Sequence, residues 1–106
     1  PIYTQRALEN LAEAKRVLPG RILAGFMPVA SYKNALFLNN EVSGVEIPQE
    51  MLDRLEGTDQ QQAWDITVTF TAKMMEQAAP HCDGYYLMTP LKKVALMVRL
   101  IREAGL

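Results

Sequence analysis

The sequence predicts an α/β fold with parallel strands, and three observations predict it. Two short apolar runs, residues 22–29 and 85–88, each begin just after a turn signal, Pro19-Gly20 and Asp83-Gly84. Segments with apolar residues at helical spacing lie before, between and after these runs. The order is therefore helix, strand, helices, strand, helix, and strands that alternate with helices pair in parallel through right-handed crossovers.

Each element has its own warrant. Thr4 can cap a first helix, because its hydroxyl accepts from an orphan N–H at a helix start. Leu8, Leu11, Ala12 and Leu18 then recur near helical spacing, with Glu9, Glu13, Lys15 and Arg16 mostly elsewhere. Pro19-Gly20 stops that helix. Residues 22–29 form a continuous apolar run, the pattern of a strand buried on both faces. Gly25 within it lets another group approach the backbone closely.

Ser31 caps a short helix over residues 33–38, and residues 39–45 read as a polar loop. Pro48 suits the first turn of a helix over residues 49–55, which Gly57 ends. Asp59 can cap a long helix over residues 60–79, with Trp64, Phe70, Met74, Met75 and Ala78 on its apolar side. Residues 85–88 form the second strand. Pro90 suits the first turn of a last helix, whose apolar side holds Val94, Met97, Val98 and Ile101. A third strand could end at Ile2-Tyr3. Two or three strands cannot close a barrel of eight, so they form the edge of an open sheet or a slice of a barrel.

Composition narrows the function classes. A chain of 106 residues makes one domain, and 49% hydrophobic with 22% charged residues is a globular composition. A net charge of -1 lacks the dense positive field that phosphate backbones need, which argues against nucleic acid as a partner. No apolar run approaches the ~20 residues of a membrane span, and residues 1–20 lack the apolar core of a signal peptide. Cys82 is the single cysteine, so no internal disulfide forms, and a reducing, cytoplasmic setting is expected. The chain begins at Pro1, so it reads either as a protein trimmed of its initiator or as a piece of a longer one.

Candidate site residues are few. There is no Gly-rich phosphate loop and no nucleophile elbow. His81, Cys82 and Asp83 are adjacent, but three neighbours rarely converge on one ion, so they read as a helix-to-strand turn and no metal is expected. Tyr85 and Tyr86 point to opposite faces of a strand; one can be buried while the other meets a helix layer or a ligand. Polar segments follow both apolar runs, Ser31-Tyr32-Lys33-Asn34 and Thr89-Pro90-Leu91-Lys92. Ligands gather at such C-terminal strand ends in parallel α/β folds. Lys92 and Lys93 are ordinary solvated charges or, from that position, anion ligands. Asn34 is by default a capping residue.

Residues 28–42, running from Pro28-Val29-Ala30-Ser31-Tyr32-Lys33-Asn34 through Leu38-Asn39-Asn40-Glu41-Val42, resemble a signature of the methylenetetrahydrofolate reductase family. Val45-Glu46-Ile47-Pro48 fits the same pattern, and residues 85–90 are similar to that family's last barrel strand. Pro1-Ile2-Tyr3 looks like the residues just after an earlier strand end. The resemblance runs along essentially the whole chain, which is especially similar to reductase domains fused behind a homocysteine S-methyltransferase domain.

The resemblance implies a partial (β/α)8 (TIM) barrel in which residues 1–106 are the C-terminal segment, supplying the last two to three β/α units. It implies an FAD-dependent enzyme that reduces 5,10-methylenetetrahydrofolate to 5-methyltetrahydrofolate with NAD(P)H. It implies substrate contacts at Asn34, where the family has a polar side chain on folate, and at Leu38, where some members carry a Phe. Lys92 falls where many members have an Arg on the folate glutamate carboxylate, with Lys93 the alternative if the alignment slips by one. Lysine keeps that charge but not the bidentate fork. The family's general acid, a Glu of the first strand, and most of its FAD contacts belong to parts of the barrel outside this chain. The isolated segment is thus expected to be inactive, and its cut sheet is expected to drive homo-oligomerisation. The rival reading is a small non-catalytic α/β binding or interaction module.

Overall fold

The computed structural model describes residues 1–89 and 92–106. Helix α1 (Gln5–Val17) leads into strand β1 (Leu23–Phe26), followed by helices α2 (Tyr32–Glu41), α3 (Gln49–Leu55) and α4 (Gln60–Ala78). A 3-10 turn (Ala79–His81) then leads into strand β2 (Gly84–Leu87), and helix α5 (Val94–Glu103) is the last described element.

The predicted caps form. Thr4 Oγ1 accepts from Ala7 N at 3.1 Å, and Ser31 Oγ accepts from Asn34 N at 3.0 Å. At the head of α4, Asp59 accepts from Gln62 N at 2.8 Å while the Gln62 side chain accepts from Asp59 N at 3.0 Å. This reciprocal pair satisfies two orphan donors at once. Gly57 ends α3 with φ +77°, a left-handed conformation that costs glycine little.

β1 and β2 pair in parallel, with Leu23 opposite Gly84 and Phe26 opposite Leu87. Alternation along each strand then splits the sheet into two unlike faces. Ala24, Phe26, Tyr85 and Leu87 point into a helical layer that includes Leu8 of α1, Met74, Met75 and Ala78 of α4, and Met97 and Leu100 of α5. Phe26 is fully buried and meets the Tyr85 ring edge-on, with centroids 5.9 Å apart. The opposite face is bare: Leu23 and Tyr86 are each 58% exposed. A second core joins Tyr3, Val29, Ala35, Leu38, Ile47, Met51, Leu52, Leu55 and Ala63, which packs α2 and α3 beyond the end of β1.

Several expectations need correction. The first strand is four residues long rather than eight, and it is buried on one face rather than both. Leu18 is exposed because the chain turns extended there and leaves the face of α1. The loop expected from residue 39 begins later, since Asn39 to Glu41 continue α2. The low helix propensity of Asn39-Asn40 is overridden by tertiary contacts: Leu38 packs in the core, and Asn39 Oδ1 accepts from Ile47 N at 2.8 Å. On α5 the buried stripe is Leu96, Met97 and Leu100, while Val94, Val98 and Ile101 face outward. Both stripes are apolar at helical spacing, so the pattern alone could not choose between them. Pro90 lies outside the described residues, and α5 begins at Val94. The third strand reduces to one backbone bond, from Ile2 N to Gly25 O at 2.8 Å.

The mixed α/β character and the parallel pairing are as the sequence predicted. No helix among the described residues is long and apolar enough to cross a membrane.

Candidate functional site

Parallel pairing forces the chain to leave both strands at one rim. Met88 N donates to Phe26 O at 2.9 Å, so the pairing reaches the last residue of β1. The segments after β1 and β2 therefore emerge side by side. Three helices, α2, α4 and α5, begin near the same rim, and their N-terminal N–H groups lend it partial positive charge.

The segment after β1 is tightly held. Pro28, Val29 and Ala30 are buried. Ala30 N donates to Asn34 Oδ1 at 2.9 Å, while Asn34 N donates to the Ser31 cap. Asn34 is thus only 7% exposed, and one lone pair of its amide oxygen is already used. Leu38, also 7% exposed, packs in the core between α2 and α3.

A hollow of about 310 Å³ opens beside this segment, lined by Ala30, Ser31, Asp59, Gln60, Trp64 and Lys93 among others. It joins residues from the end of β1, the start of α4 and the start of α5. Lys93 precedes the first turn of α5 and makes no capping bond of its own. Among the described residues no ion pair engages it. Lys92 is exposed, has a left-handed φ of 58° and is absent from the lining. Of the two lysines, the structure brings Lys93 to the hollow.

Its helical spacing puts Trp64 on the apolar side of α4. It is only half-buried, packs on Ala30, Val68 and Leu96, and forms one wall of the hollow. The signal was its place one turn after the Asp59 cap, since a residue there stands at the rim where α4 begins. Its Nε1, like the Thr67 hydroxyl one turn further on, is buried without a hydrogen-bond partner among the described residues.

The hollow suits binding better than acid–base work. Lys93 offers a cation, and Ser31 and Gln60 offer short polar groups. Asp59 is committed to its cap. Burial, and then the Glu56 carboxylate, raise the phenol of Tyr32, the residue after Ser31. The hollow lies near the lower end of ligand pockets, roughly 300–1,000 Å³. One cation and no Gly-rich turn do not fit a flavin dinucleotide, whose two phosphates need more donors. The described residues around it therefore make no flavin cradle.

The other end of the sheet is built differently. Asp83 precedes β2 and accepts from Lys15 Nζ at 2.8 Å through each oxygen, and from Ile22 N at 2.7 Å. The Lys15 hydrogen bond and then the Ile22 N–H hold its carboxyl below the ordinary aspartate range. Cys82 Sγ donates to Ala78 O at 3.3 Å. His81, Cys82 and Asp83 thus serve the turn, and no group of three or more metal-ligating side chains converges among the described residues. A larger cavity of about 480 Å³ lies between α4 and α5 near this end. Its Tyr85 hydroxyl is spent on Met75 O at 3.1 Å, and burial raises that phenol.

Among known proteins, the family model described as methylenetetrahydrofolate reductase matches residues 7–105. A search of curated proteins finds no match. A match over nearly the whole chain settles the matter: the chain belongs to the methylenetetrahydrofolate reductase family, a folate-linked oxidoreductase family.

Proposed function

We propose that residues 1–106 are the C-terminal segment of a (β/α)8 reductase barrel, supplying its last two to three β/α units. The complete enzyme reduces 5,10-methylenetetrahydrofolate to 5-methyltetrahydrofolate, with electrons from NAD(P)H passing through FAD. This segment binds and orients the folate. The Glu acid and the flavin contacts come from other strands of the same barrel, in keeping with a hollow too sparing in donors for FAD.

One observation carries the reading. Helices cover one face of the β1–β2 sheet and leave Leu23 and Tyr86 bare on the other, while Lys93, without an ion-pair partner among the described residues, stands at the C-terminal rim. Parallel strands are ordinarily buried on both faces. A bare inner face with ligand groups at the rim is what a slice of a barrel presents. In this reading Lys93 meets the folate glutamate carboxylate as a point charge, and Lys92 serves as its exposed neighbour. Asn34 holds the segment after β1 in place and turns its remaining amide donors toward the pterin. Leu38 supports that wall from the core side. The bare face also leads the isolated segment to associate with further copies of itself.

The test compares two samples under saturating FAD, NADH and methylenetetrahydrofolate. The isolated 106-residue chain is expected to give no turnover, and the parent polypeptide is expected to turn over. Turnover by the isolated chain would overturn the reading of it as a segment. A silent, folded and flavin-loaded parent would overturn the assigned reaction.

A further inference from the structure

We draw no further inference here: the strongest candidate, the open face of the β1–β2 sheet where Leu23 and Tyr86 stand exposed beside an edge of β2 that pairs with no described residue, carries none, because nothing in the structure shows what covers it.

Discussion

The two rims of the sheet use their charges in opposite ways. Where the strands begin, Asp83 spends both carboxylate oxygens on Lys15 and Ile22 N, and Asp83 N donates back to Ile22 O at 2.7 Å. That knot ties α1, β1 and β2 together and leaves little to offer a ligand. Where the strands end, Lys93 stands beside a hollow without an ion-pair partner among the described residues. In the barrel proposed above, the contrast would match a division of labour with stability at the N-terminal rim and binding at the C-terminal rim. Between the rims, the sheet's covered face supplies the packing that both depend on.

Substitutions on the covered face, at each rim and on the bare face test this contrast. The largest loss should come from the covered face. Phe26→Ala removes a fully buried ring from between α4 and β2 and should cost ~3–5 kcal/mol in urea unfolding. A loss under about 1 kcal/mol would mean that the helical layer does not pack on the sheet as described.

Asn34→Ala comes next. It leaves Ala30 N buried without its acceptor, at a cost of ~1–3 kcal/mol. Asn34→Asp keeps an acceptor and should recover part of that loss. Equal losses for the two variants would show that the Ala30 bond contributes little.

Asp83→Asn should destabilise less, and in a pH-dependent way. A carboxyl held below its ordinary value of 3.8 stabilises the fold above that pH, and the benefit fades as pH falls through the lowered folded value. The melting-temperature gap between wild type and Asp83→Asn should therefore be flat above about pH 5 and should close below it. A gap that widens in acid would contradict the role given to the Asp83 carboxylate.

Tyr86→Ser, on the bare face, should change monomer stability by less than about 0.5 kcal/mol. It should also lower the apparent mass of the isolated chain in light scattering at high concentration. An unchanged mass would place self-association elsewhere.

Much of this contrast was legible in the sequence. The caps at Thr4, Ser31 and Asp59 are local chemistry, so short-range reasoning finds them. The two strands and their parallel pairing follow from apolar runs between helical patterns. The 28–42 motif pointed to the family. Other features depended on distant partners. Nothing near Asp83 in the chain announces Lys15, which lies 68 residues away. The choice between the two apolar stripes of α5 rests on which one meets Val68 and the covered face of the sheet. Trp64 fits a core pattern equally well whether its neighbours close over it or leave a hollow. Lys92 and Lys93 differ by one position, and only the folded chain shows which of them lines the hollow beside Ala30 and Trp64.

That last distinction gives the most direct test. Lys92→Ala and Lys93→Ala, made in the parent enzyme, should both leave its melting temperature unchanged. Lys93→Ala should raise KM for methylenetetrahydrofolate about tenfold, equivalent to ~1.4 kcal/mol, with kcat retained; Lys92→Ala should leave KM near wild type. Unchanged KM in both variants would contradict the placement of folate at the rim where the two strands end.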